Sequence, residues 1–88
     1  MDLLIRFGSY DSNFLENPYN WTVFNRIRIY RRKMNFSQSQ LAYLCGVSKN
    51  CISDYENNLY QPRLDRAVFL MKYLDCSFED LFYTVQLS

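Results

Sequence analysis

The sequence predicts an all-α fold, and three observations predict it. Only 2 Gly and 2 Pro occur in 88 residues, too few turn-formers for a sandwich or barrel of many short strands. Apolar residues recur at steps of three and four from Val23 onward, the spacing of one helical face. Ser37, Ser48 and Ser77 each stand just ahead of such a run, where a hydroxyl can accept a free backbone N–H of the first turn. Hydrophobic residues make up 49%, which suits a folded globule over a disordered chain. The length fits one domain with a modest core.

The elements follow in order. Residues 1–20 form an N-terminal arm whose loops are marked by Gly8 to Asn13 and by Asn17 to Asn20. Leu3 to Phe7 fits a short strand or a packed arm. Asn20 offers an N-cap to a first helix beginning near Trp21. Val23, Ile27, Tyr30 and Met34 form its inner face, and Asn35 ends it in the left-handed conformation that Asn tolerates. Ser37 and Gln40 have capping-box spacing. Leu41, Ala42, Leu44 and Cys45 are the apolar side of the second helix, and Gly46 stops it. A third helix runs from about Lys49 to Asn57, capped by Ser48, with Ile52 and Tyr55 inward and Asn57-Asn58 at its end. A fourth covers Leu64 to Leu74, with Leu64, Ala67, Val68, Leu70, Met71 and Leu74 as its stripe and Asp75 at the turn. Ser77 caps a last short helix. Glu79 and Asp80 lie in its first turn, where negative charge is favoured.

Composition excludes much chemistry. The chain has no histidine. That removes the usual general base, Ser/His and Cys/His pairs and most zinc sites. No Gly-rich phosphate loop is present, so an enzyme is not expected and no cofactor is implied. Cys45, Cys51 and Cys76 form no C-x-x-C pair. They read as packed or surface residues in a reducing cytoplasm, without metal or redox chemistry. No apolar run reaches the ~20 residues that span a bilayer. Met1 to Phe7 lacks the basic start of a signal peptide. No membrane partner is expected.

The formal net charge of +1 hides a division along the chain. Residues 21–66 carry eight cations against three carboxylates, while residues 1–20 and 67–88 are each net negative. A basic middle can meet phosphate, and acidic flanks would orient the approach. A normally solvated surface would show the same modest excess. Aromatics reach 18%, with 8 Tyr and 7 Phe, more than so small a core can hold. Some belong at the surface or in an interface.

Two short helices joined by a tight turn at Gly46 read as a helix-turn-helix. Gly46 permits a backbone conformation that a β-carbon resists, and the small Ala42 lets the third helix approach the second. Ser37-Gln38-Ser39-Gln40-Leu41-Ala42, Gly46-Val47-Ser48 and Ile52-Ser53-Asp54-Tyr55-Glu56 resemble the signature of the Cro/phage-repressor type, or XRE family. The resemblance continues through Pro62-Arg63-Leu64 to Ser77-Phe78-Glu79-Asp80-Leu81-Phe82 and covers about residues 22–83.

This resemblance implies a compact five-helix bundle, lambda-repressor-like, with a DNA-binding domain over residues 21–83 and a C-terminal tail over 84–88. It implies that the third helix enters the major groove of double-stranded DNA. Lys49, Asn50, Ser53 and Asp54 would then face bases. Lysine can donate to guanine and asparagine can pair with adenine, whereas Asp54 could accept from cytosine but would repel phosphate. Ser37, Gln38, Ser48, Lys33 and Asn58 would meet phosphate, and Gln38 would also brace the third helix. Asn58 takes the place of a common family glycine. Arg31 and Glu56 match an internal ion pair and are assigned to structure. Arg26, Arg28 and Arg32 read as a solvated face. The implied function is a sequence-specific regulator, a repressor acting as a homodimer on a palindromic operator. The alternative is a protein-interaction module, antitoxin-like, that uses the aromatic surface. Two candidate dimer surfaces are the final helix with Tyr83 to Ser88, and the arm of residues 1–20.

Overall fold

In the computed structural model of the chain, residues 21–86 are described. The expected arm of residues 1–20 lies outside them. The order is β1 (Trp21–Asn25), α1 (Ile27–Lys33), α2 (Gln38–Cys45), α3 (Lys49–Glu56), α4 (Leu64–Leu74), α5 (Phe78–Leu81) and β2 (Phe82–Gln86). Five helices form the bundle, as the sequence predicts. The two strands pair antiparallel, with Trp21 opposite Gln86, Val23 opposite Thr84 and Asn25 opposite Phe82.

The strands correct the expected ends of the domain. The first helix begins at Ile27, not near Trp21, and residues 84–86 continue a strand instead of a tail. Trp21-Thr22-Val23-Phe24 are aromatic and β-branched, side chains that pack well on a pleated surface. Their helical spacing with Ile27 and Tyr30 was coincidental: Val23 and Met34 are both exposed. The N-terminus of α1 is served by Asn25, whose Oδ1 accepts the Ile27 N–H at 3.0 Å; the expected cap Asn20 lies outside the described residues.

The other boundaries agree with the sequence. Ser37 accepts the Gln40 N–H, and the Gln40 side chain accepts the Ser37 N–H, closing the capping box. Ser48 accepts the Cys51 N–H at 3.1 Å. Ser77 and Asp80 form a second reciprocal box. Asn35, Asn58 and Asp75 all have positive φ, as does Gly46, and each ends a helix or its following turn.

The core is one cluster. Ile27, Leu41, Ile52, Leu70, Leu74 and Leu81 are fully buried, so each of the five helices contributes at least one side chain. Burying such a side chain contributes about 1.5–3 kcal/mol. The α4 stripe is narrower than its sequence suggests, because Leu64 and Val68 are exposed while Ala67, Leu70 and Leu74 are buried. Among the described residues, no helix is long and apolar enough to cross a membrane.

Candidate nucleic-acid interface

The turn between α2 and α3 sets the site. Gly46 sits at φ 70° and donates its N–H to the Tyr43 carbonyl at 3.2 Å, while Val47 N–H reaches the Ala42 carbonyl at 3.0 Å. These bonds satisfy carbonyls that the end of α2 would leave free. Ile52 and Tyr55 turn inward. The opposite side of the first turn of α3 therefore faces outward, and Ser48, Lys49 and Asn50 are exposed there.

The far end of α3 is anchored by Glu56, whose side chain is fully buried. Arg31 Nε donates to Oε2 at 2.5 Å and its Nη2 to Oε1 at 3.1 Å, a two-pronged contact of the strong kind. Arg28 Nε donates to Oε1 at 3.2 Å and Gln38 Nε2 to the same oxygen at 3.0 Å. Burial alone would raise the Glu56 carboxyl. The hydrogen bonds from Arg31, Gln38 and Arg28, with the Arg31 charge, outweigh it and hold the group below its ordinary value. One carboxylate thus joins α1, α2 and α3.

This cluster includes the predicted Arg31–Glu56 pair and extends it. Arg28, read as a solvated cation, also donates to the Asn57 side chain at 3.1 Å. Gln38, predicted to meet phosphate, has its amide N–H directed to Glu56. Its place at the start of α2 is as expected, but the tie to α3 is internal.

Asn58 is likewise engaged inside the fold. Its Oδ1 accepts from the Asn25 backbone at 3.1 Å, the Asn25 side chain at 3.2 Å and Gln61 at 2.9 Å. Asn25 itself is buried and donates to the Tyr55 carbonyl at 2.8 Å and to Gln61 at 2.7 Å. Sequence reasoning missed this hub.

The remaining predicted residues divide by exposure. Ser37 is exposed on its box, and Lys33 is exposed with its ammonium 4.8 Å from the Tyr30 ring centre. Ser53 and Asp54 are half-buried on α3. Asp54 Oδ2 accepts the Tyr60 hydroxyl at 3.2 Å, and the Tyr60 ring meets Tyr55 edge-on at 5.6 Å. Desolvation, with that hydrogen bond and the Asp54 charge, pushes the Tyr60 hydroxyl up. The cysteines are free, with Cys45 buried. Burial pushes the Cys45 thiol up, and burial with the charges of Asp80 and Asp75 does so at Cys76. Among the described residues, no cluster of three or more His, Cys, Asp or Glu could hold a metal ion.

Capped α2, the Gly46 turn and an anchored α3 with its outer turn exposed define a DNA-binding helix-turn-helix domain. The chain matches the helix-turn-helix family over residues 27–81 and belongs to it. A helix-turn-helix-type transcriptional regulator of Methanocaldococcus jannaschii, itself uncharacterised, is 34% identical over 58 residues, which are 66% of this chain and 88% of that protein. The crystal structure of a candidate DNA-binding protein from Bacteroides fragilis superposes with a TM-score of 0.66 at 29% identity, covering 70% of this chain and all of that one. The P22 c2 repressor, crystallised with a synthetic operator, is similar at a TM-score of 0.57 and 36% identity, covering 59% of this chain and 79% of that one. The domain is of the Cro/phage-repressor-like type, a DNA-binding regulatory domain.

Proposed function

We propose that the chain is a sequence-specific transcriptional repressor that places α3 in the major groove and acts as a homodimer on a palindromic operator. The observation that carries this reading is the first turn of α3. Lys49 and Asn50 are exposed there, and among the described residues no hydrogen bond engages either side chain. Both have the chemistry of base recognition, Lys49 toward guanine and Asn50 toward adenine. Ser53 and Asp54 lie on the following turn. Ser37, Gln38, Ser48 and Lys33 line the approach and supply phosphate contacts, with Asn58 at the rim. The similar P22 c2 repressor was crystallised with a synthetic operator, which supports DNA as the ligand. A single eight-residue α3 reads few base pairs, so two copies on half-sites about 34 Å apart give useful specificity. A reducing cytoplasm, where free thiols persist, is the proposed setting.

Selection of bound duplexes from a random-sequence DNA pool tests the reading. Enrichment of an inverted repeat supports it. Absence of enrichment by a folded protein overturns it. The second reading, a partner-binding module, is favoured by one observation. Phe36, Tyr43 and Leu44 line an open apolar groove with Ser39 and Gln40, and Tyr43 is 86% exposed. A DNA-free complex insensitive to salt would support that alternative.

A further inference from the structure

The two edges of the β1–β2 ribbon differ in a way that assigns them different roles. Arg26 N–H donates to the Leu81 carbonyl at 2.8 Å. With the register given above, Thr22 and Phe24 bond inward to Val85 and Tyr83, and the odd-numbered positions of β1 present their backbone groups outward. That outer edge of β1 is partly covered by side chains. Gln61 Nε2 donates to the Val23 carbonyl at 3.1 Å, and Asn58 Oδ1 accepts the Asn25 N–H at 3.1 Å.

The outer edge of β2 has no such cover among the described residues. The Phe82 N–H is used by the Phe78 carbonyl. The Phe82 carbonyl and the N–H and carbonyl of both Thr84 and Gln86 remain. Natural edge strands are commonly blunted by Lys, Pro or a bulge. β2 reads Phe-Tyr-Thr-Val-Gln, without a charge or a proline. A two-stranded ribbon is also marginal by itself and gains from further strands.

Taking the homodimer reading above as given, we propose that β2 is the dimerisation strand, pairing antiparallel with β2 of a second copy about a twofold axis at Thr84. This occupant is set by self-complementarity. With Thr84 opposite its own copy, the two Thr84 residues exchange N–H and carbonyl bonds. Each Gln86 N–H then meets the Phe82 carbonyl of the other copy, so the outward N–H groups of Thr84 and Gln86 and the outward carbonyls of Phe82 and Thr84 all find partners. The same register sets Tyr83 opposite Val85 of the partner strand on one face, an aromatic and β-branched pair of the stabilising kind. Thr22 and Phe24 share that face, and Phe24 already meets Tyr83 edge-on at 6.1 Å. The product is a four-stranded antiparallel sheet in the order β1-β2-β2-β1. Lack of charge on β2 means that no like charges meet across the axis.

The test is the mass of the full chain in solution, by sedimentation or light scattering, for wild type, Thr84→Pro and Thr84→Lys. Thr84 N–H and its carbonyl face away from β1, so neither variant removes a bond within the ribbon. Lysine retains the N–H and keeps the test valid if proline disturbs the strand. The expected result is a wild-type mass of twice 10.7 kDa. Both variants should show dimer dissociation constants raised about tenfold or more, with unchanged helical circular dichroism. Variants as dimeric as wild type would overturn the β2 surface and leave the homodimer reading standing. A wild-type chain that is monomeric both alone and on DNA would overturn the homodimer reading and the surface with it.

Discussion

Arg31 of α1 and Glu56 of α3 meet through two hydrogen bonds, from Nε at 2.5 Å and Nη2 at 3.1 Å. The contact ties the helix that carries the exposed first turn to the body of the bundle. Both residues are buried, so removing one partner strands the other's charge. Arg31→Met should destabilise the fold by about 3 kcal/mol in urea unfolding at neutral pH. Arg31→Lys should recover only part of that, because an ammonium cannot reproduce the two-pronged contact.

The same carboxylate sets a pH dependence. Glu56 is held below its ordinary value of 4.5, so the unfolded chain binds its proton more readily than the folded one. Its contribution is fully present above about pH 4.5 and is lost as pH falls through the lower folded value. Unfolding free energies of wild type and Glu56→Gln, measured from pH 7 to pH 3, should therefore converge toward the acid end. A gap that stays constant over that range would contradict the assignment.

Gly46 separates space from conformation. A β-carbon there would meet nothing within 4 Å, yet φ is +70°. Gly46→Ala should cost about 1 kcal/mol through the backbone alone. Gly46→Asn should be milder, since Asn visits the left-handed region more readily. A larger loss for alanine, measured by thermal unfolding, would mean that the turn rearranges.

Most of the bundle was legible because its signals are local. The caps at Ser37, Ser48 and Ser77, the left-handed stops at Asn35 and Gly46, and the span Leu64–Leu74 each depend on residues a few positions apart. The strands were not legible. Trp21 to Asn25 becomes a strand by pairing with Phe82 to Gln86, about sixty residues later, and its spacing with Ile27 and Tyr30 imitated a helical face. The site shows the same division. The Arg31–Glu56 pair and the bracing role of Gln38 came from a resemblance, whereas the Arg28 contact to Glu56 and the Asn25–Asn58–Gln61 hub depend on how distant segments meet. Polar side chains carry no periodicity that would announce such partners.

Lys49, Asn50 and Gln38 should fail in different ways on an enriched DNA site. Asn50→Ala should cost about 1–3 kcal/mol on the preferred site and little on other sequences, because base contacts specify. Lys49→Ala should weaken binding and also reduce the salt slope if its ammonium meets phosphate. Gln38→Ala removes a donor from Glu56 as well as any phosphate contact. It should weaken all sequences alike and lower the unfolding free energy by about 1 kcal/mol. Fluorescence anisotropy over a salt series, paired with urea unfolding, resolves the three cases.

Asp54 and Tyr60 make the sharpest prediction. The Tyr60 hydroxyl donates to Asp54 Oδ2 at 3.2 Å, which holds a carboxylate on the helix proposed to face DNA. A carboxylate near phosphate opposes binding by about 1 kcal/mol at close range in water. Asp54→Asn should therefore raise general DNA affinity several-fold, while changing the preferred base if the carboxylate reads cytosine. Spectrophotometric titration gives an independent readout. The Tyr60 hydroxyl is pushed above its ordinary 10.0 by desolvation and by Asp54, so its transition should move to lower pH in Asp54→Asn, assigned by its absence in Tyr60→Phe. If affinity rises but the titration does not move, Asp54 acts on DNA without engaging Tyr60. If the titration moves and affinity falls, the carboxylate is a base contact whose loss outweighs the repulsion it removes.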